Sequence, residues 1–148
     1  AKVGPAASGS INIGKVTVSL KPVPLPRSGV LAPLPSAAIA SFSLAHQPLT
    51  AKQGSTVIAW HSTYGRNCTG TLNVLLSKRV GSTFVLRTAS GSATTYRIKS
   101  INEVAKGAYP DSWFRLSGPR QLVLMTCSNL VRGQYRSNTV VVAVPVKG

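Results

Sequence analysis

At 148 residues the chain supports one domain with a substantial core and leaves little room for two. Its 43% hydrophobic content, punctuated by thirteen glycines and ten prolines, fits a folded, mostly β chain of many short elements. Seventeen Lys and Arg face only two acids, Glu103 and Asp111, and the resulting formal charge of +15 attracts polyanions while excluding chemistry that needs several carboxylates.

That exclusion removes paired-carboxylate hydrolysis and calcium sites, and no Cys-x-x-Cys or His-Glu-x-x-His spacing offers zinc a ligand set. No metal and no cofactor are expected. The bases are dispersed, with Lys78-Arg79 the single adjacent pair, so nucleic acid is the disfavoured polyanion beside an anionic wall or membrane surface. No run of eighteen apolar residues appears, and a chain that opens on Ala1 rather than Met leads us to expect a trimmed N-terminus whose signal or anchor lies upstream.

In chain order, residues 1–10 are small and polar and read as a flexible lead-in, with the domain proper at 11–148. Ile11 and Ile13, then Val16, Val18 and Leu20, alternate as two strand pieces with a phase slip at Gly14-Lys15. Residues 21–36 carry Pro22, Pro24, Pro26, Pro33 and Pro35, which leaves extended edge or loop structure. Ala37 to Leu49 reads by composition as a short helix ended by Pro48, although Phe42 and Leu44 alternate with serine. His46 falls there, away from any predicted strand end.

Ser55 to Trp60 holds four apolar residues in a row and predicts a strand buried on both faces, with His61 directly after it. Leu72, Leu75 and Leu76 have helical spacing and predict one or two turns ending near Gly81. Thr83 to Arg87 and Thr95 to Val104 read as a hairpin turned at Ser90-Gly91-Ser92. Residues 106–119 form an aromatic loop around Tyr109, Trp113 and Phe114, suited to lining a pocket for an apolar peptide. Gln121 to Cys127 is the next strand, residues 128–137 a loop, and Thr139 to Val146 a buried terminal strand with Pro145 at its end. Seven or eight strands with one or two short helices imply a closed barrel or a sandwich.

Chemistry is concentrated where strands end. Cys127 closes one apolar strand, His61 closes another 66 positions upstream, and Arg136 follows nine positions after the cysteine. A thiol needs cations to ionise at neutral pH, and His61 and Arg136 are the candidates. Each has a plainer reading alone, as a buried small hydrophobe, a strand cap and one surface base among many. Two cysteines also leave open a Cys68 to Cys127 bridge, a reactive thiol with a bystander, or two buried hydrophobes.

Leu124-Met125-Thr126-Cys127, followed by Tyr135-Arg136-Ser137-Asn138 and a valine strand, resembles the Thr-Cys signature and arginine strand of sortases, the cysteine transpeptidases of Gram-positive surfaces. Val57-Ile58-Ala59-Trp60-His61 is similar to that family's Ala-Gly-His strand end, so the resemblance covers Gly54 to Val146. Tyr-Arg-x-Asn-x-Val-Val is most similar to the actinobacterial class F branch. Trp60 stands where the family has glycine and is expected to reshape access to His61, and the missing acid cluster implies a calcium-independent enzyme.

The resemblance implies a closed sortase-type barrel and a mechanism in which Cys127 cleaves a Leu-Pro-x-Thr-Gly sorting signal between Thr and Gly. The thioacyl enzyme then passes its acyl chain to an amine of a peptidoglycan precursor. His61 would serve as acid and base and Arg136 as the oxyanion or substrate holder. Ala59, Trp60, Thr126, Tyr109, Trp113, Tyr135 and Asn138 are the candidate substrate contacts. The implied location is the outer face of the cell membrane, held by an N-terminal segment upstream of Ala1. A basic barrel that binds polyanions or nucleic acid without catalysis is the alternative class.

Overall fold

The computed structural model describes residues 9–23, 39–60, 63–64, 68–69, 78–105, 109–131 and 134–146; for residues 39, 63–64, 68–69, 127–131 and 134–137 it describes the backbone alone. Alternation organises the first hairpin. Strand β1 (Gly9–Ile13) turns through Gly14, whose φ of 58° suits a residue without Cβ, into β2 (Val16–Val23). Ile11, Ile13, Val18 and Leu20 are buried while the residues between them are not. β1 begins two residues inside the stretch read as a lead-in.

Among the described residues, strand β2 beyond Leu20 pairs only with β3 (Ile39–Ser43), which runs parallel to it and matches Pro22 to Phe42. Proline is tolerated there because one side of the strand asks nothing of its missing N–H. The expected helix over Ala37 to Leu49 is therefore wrong in its first half. The alternation of Ala40 and Phe42 with Ser41 and Ser43 is a strand period, and both faces are buried, since even the serines are 0% and 1% exposed. The helical spacing at Leu72 to Leu76 lies outside the described residues.

Strand β4 (Ser55–Trp60) is buried at all six positions, as a strand covered on both faces should be. A small ribbon of β5 (Thr63–Tyr64) and β6 (Cys68–Thr69) follows. Strands β7 (Thr83–Thr88) and β8 (Ala93–Ala105) form the expected hairpin around Gly91, at φ 95°. A four-residue 3₁₀ helix, Asp111–Phe114, precedes β9 (Gln121–Val131) and β10 (Gln134–Pro145).

β9 and β10 correct a second expectation. Residues 128–131 and 134–137 are strand rather than loop: Val131 pairs with Gln134, Leu130 with Tyr135 and Ser128 with Ser137, so the hairpin runs on through polar sequence. Ladder hydrogen bonds belong to the backbone, and polar side chains do not forbid them. Cys127 therefore lies within an eleven-residue strand rather than at its end.

Eight strands close a barrel in the order β1-β2-β3-β4-β9-β10-β8-β7, with β7 returning to β1. The pairs β2/β3 and β4/β9 are parallel, and the other pairs of the barrel are antiparallel. Two hydrophobic clusters follow from the period of two. Ile58, Trp60, Leu122, Leu124, Val141 and Ala143 join the barrel interior, packed with Phe42, Phe84 and Tyr96. The alternate residues Val57, Ala59, Val123, Met125, Val140 and Val142 form a second cluster outside, against Val104, Trp113 and Phe114. Each large buried apolar side chain contributes about 1.5–3 kcal/mol. This double-sided burial makes β4 and the described parts of β9 and β10 a platform packed on both faces.

Candidate functional site

Parallel pairing brings the distant cysteine and histidine segments together. The β4/β9 register runs from Ser55 opposite Gln121 to Trp60 opposite Thr126. Thr126 Oγ1 donates to the Trp60 carbonyl at 2.9 Å, fastening the two strands at that end. The next residues in sequence are His61 and Cys127. His61 lies outside the described residues. On the other side of β9, Cys127 is in register with Asn138, which is 8% exposed. Arg136 lies two positions from Asn138 on β10, about 7 Å along the strand. The backbones of Cys127 and Arg136 thus occupy neighbouring strands, although their side chains lie outside the described ones.

Over the outer face of this platform runs the segment 109–119. The aromatic loop expected over residues 106–119 holds, among its described residues, the 3₁₀ helix, which sets Trp113 and Phe114 against the second cluster. The tilted Tyr109 and Trp113 rings lie 6.3 Å apart, and Tyr109 meets Phe114 edge-on at 6.1 Å. Such pairs add about 0.5–1.5 kcal/mol beyond burial.

A set of hydrogen bonds pins the segment to the start of β4. Gly54 N–H donates to Gly118 O at 2.9 Å and Ser55 N–H to Arg115 O at 2.8 Å. Gln121 Nε2 donates to Ser112 O and to Ser55 Oγ, both at 2.8 Å. Gln47 Nε2 reaches Leu116 O from the turn before β4. Gly54 is required twice over: its φ is +72°, and a Cβ there would stand 2.5 Å from Leu116 O. None of these pinning residues was singled out in the sequence, because their partners are 9 to 69 positions away and leave no local pattern.

His46 belongs to the same construction. Its ring lies 5.6 Å from that of Phe114, and Nδ1 is 2.8 Å from Ser43 Oγ. Burial against these neighbours lowers its pKa from the ordinary 6.5. The neutral ring is thereby favoured as packing for the aromatic segment.

The other sequence candidates are placed unequally. Ala59 is in the outer cluster, and Trp60, 2% exposed, points into the barrel interior and away from solvent access. Thr126 is equally buried, with its hydroxyl committed to Trp60. Tyr109 and Trp113 are half-buried, and Trp113 packs against the outer cluster. Tyr135 is described by its backbone alone, in register with Leu130. Among the described residues no three His, Cys, Asp or Glu side chains come together.

Residues 23–146 match the sequence model of the sortase domain, a match that starts well upstream of the Gly54 at which the motif resemblance begins. Among solved structures the chain is similar to sortase A from Corynebacterium diphtheriae, with a TM-score of 0.73 and 17% identity over 97% of this chain and 61% of that one. It is similar to sortase C1 from Streptococcus agalactiae, with a TM-score of 0.70 and 14% identity over 95% of this chain and 67% of the other. Sortase C from Clostridium perfringens gives a TM-score of 0.71 and 12% identity over 99% of this chain and 72% of the other. At such identities these likenesses carry the fold, and the chain spans roughly two thirds of each structure. No curated protein matches it.

Proposed function

This chain belongs to the sortase family, and from that premise we propose that it is a cysteine transpeptidase acting on an LPxTG-type sorting signal. The observation that carries the reading is the β4/β9 register, which leads two remote segments, at Trp60 and Thr126, to the residues immediately before His61 and Cys127. The family's chemistry needs a thiol and an imidazole in this neighbourhood, with a guanidinium one strand away.

In the proposed cycle the Cys127 thiolate attacks the Thr carbonyl, and the electron pair moves onto the carbonyl oxygen, where Arg136 donates hydrogen bonds. The oxyanion collapses, the Thr-Gly C–N bond breaks, and His61 gives its proton to the departing amine. A thioester remains. An incoming amine of the wall precursor then attacks it, His61 takes the surplus proton, and the C–S bond breaks to return the thiolate. The pinned segment with Tyr109 and Trp113 forms the wall against which the apolar part of the signal lies.

The Tyr135 to Asn138 run supports placement in the class F branch, and two acids in the whole chain support independence from calcium. The site of action is the outer face of the membrane, where a +15 protein meets an anionic wall. The catalytic unit would begin with β1 at Gly9 rather than at residue 11, with any anchor upstream.

Intact-mass analysis after incubation with a Leu-Pro-Ala-Thr-Gly peptide tests the reading. The expected result is an adduct equal to the peptide cut after Thr, absent in Cys127→Ala and discharged by a glycine-type amine. Freshly reduced protein that forms no adduct with any of several signal variants would sink it in favour of a non-catalytic, polyanion-binding barrel.

A further inference from the structure

At the opposite end of the barrel from Cys127 lies a cavity of about 550 Å³, lined in part by Arg120, Lys52, Thr88, Ser92, Thr94 and Leu86. Cys127 lies six positions beyond Gln121 along β9, about 20 Å, so this cavity is distinct from the catalytic platform. Its size is within the roughly 300–1,000 Å³ usual for small-ligand sites.

Arg120 is 7% exposed. Its Nε donates to Tyr96 Oη at 3.1 Å, Nη1 to Thr56 Oγ1 at 2.7 Å, and Nη2 to the carbonyls of Leu49 at 3.3 Å and Pro48 at 3.4 Å. Every one of these acceptors is uncharged. A guanidinium has five N–H donors, so one Nη1 hydrogen is left over among the described partners. The positive charge is held in place, fixed in direction and, among the described residues, not paired with a carboxylate.

No acid lines the cavity. Of the chain's two acids, Glu103 pairs with Thr139 in the β8/β10 ladder and Asp111 opens the 3₁₀ helix on the outer face. Lys52, exposed, adds a second cation, and Thr50, Thr88, Ser92 and Thr94 supply hydroxyls. Leu86 gives the wall an apolar part. A buried, hydrogen-bonded arginine beside an open cavity is a counter-charge waiting for an anion, since desolvated cations are stabilised chiefly by one.

We propose that this end of the barrel is a binding site for a small phosphorylated ligand. The phosphate oxygens sit between Arg120 Nη1, the Lys52 ammonium and the hydroxyls, and the short carbon body lies against Leu86. Phosphate is favoured over carboxylate because three oxygens can accept from this many donors at once, and two cations match its double charge. The site is independent of the transpeptidase reading.

The experiment titrates the reduced protein with inorganic phosphate and with glycerol 3-phosphate at fixed ionic strength, read by calorimetry. Saturable 1:1 binding is expected, weakened about tenfold in Lys52→Gln and by less than about twofold in Arg97→Gln, an exposed base on the outside of β8. Arg120→Lys is the stricter variant but risks the fold, so Lys52→Gln decides. Equal weakening in the Lys52 and Arg97 variants, or no saturable binding, would overturn the proposal and leave only a diffuse field. A parallel arm uses phosphatidylglycerol vesicles in phosphatidylcholine: competition by glycerol 3-phosphate, lost in Lys52→Gln, assigns a lipid headgroup, and its absence assigns a free phosphate ester.

Discussion

The hydroxyl of Thr126 donates to the carbonyl of Trp60 at 2.9 Å, tying β9 to β4 one residue before Cys127 and His61. The bond is buried and crosses 66 positions of sequence. In the sequence Thr126 was a candidate substrate contact; its position gives it the geometry of the frame that spaces the two reacting segments.

Thr126→Val keeps the shape and removes the donor. The expected outcome is a loss of about 1 kcal/mol in denaturant unfolding. If the bond sets the spacing of the catalytic pair, kcat for peptide cleavage falls with KM nearly unchanged. A fall in KM-dependent binding alone would return Thr126 to the role of a substrate contact.

Gly54→Ala combines an unfavourable φ of +72° with a Cβ driven against Leu116 O. Strain of this kind costs on the order of 1–3 kcal/mol, which lowers Tm by roughly 2–12 °C for a chain of this size. Gln47→Ala, at an exposed contact, should leave Tm nearly unchanged and raise the peptide KM a few-fold by loosening the aromatic segment. Thermal melts and steady-state kinetics on the two variants separate strain from positioning.

His46 makes stability depend on pH with a definite sign. Burial puts its folded pKa below the ordinary 6.5 of the unfolded chain. Above that value the ring is neutral in both states. As pH falls through it the unfolded chain takes up the proton first, so the folded state loses stability. Tm should therefore drop more between pH 7.5 and pH 5 in the parent protein than in His46→Gln, which cannot titrate; parallel curves would refute the assignment.

Arg136→Lys keeps the charge and loses the planar fork of donors. If Arg136 serves the oxyanion, kcat/KM falls on the order of a hundredfold while thioacyl formation still requires Cys127. A variant as active as the parent in single-turnover mass analysis would remove Arg136 from the site.

Much of the barrel was legible because strand alternation is a local property. Ile11 to Leu20, Ser55 to Trp60 and the hairpin from Thr83 to Val104 could be read residue by residue, and their burial follows that reading. Ala37 to Leu49 misled because small residues and a following proline satisfy a helix on paper, whereas pairing with β2 and β4 decides for a strand. The stretch from Ser128 to Ser137 misled for the converse reason, since a polar hairpin has no hydrophobic signature to announce it.

By itself the sequence determined the class of fold, the sign of the surface and the three residue types available for thiol chemistry. Those depend on composition, on a period of two and on a motif order that any linear reading can follow. Only the tertiary structure decided that β4 lies parallel to β9, that the outer face of β4, β9 and β10 is roofed by Trp113 and Phe114, and that Arg120 is buried beside a cavity without an acid. Each of these joins segments remote in sequence, and pairings of that kind are chosen by which surfaces can be buried together, a quantity no single segment contains.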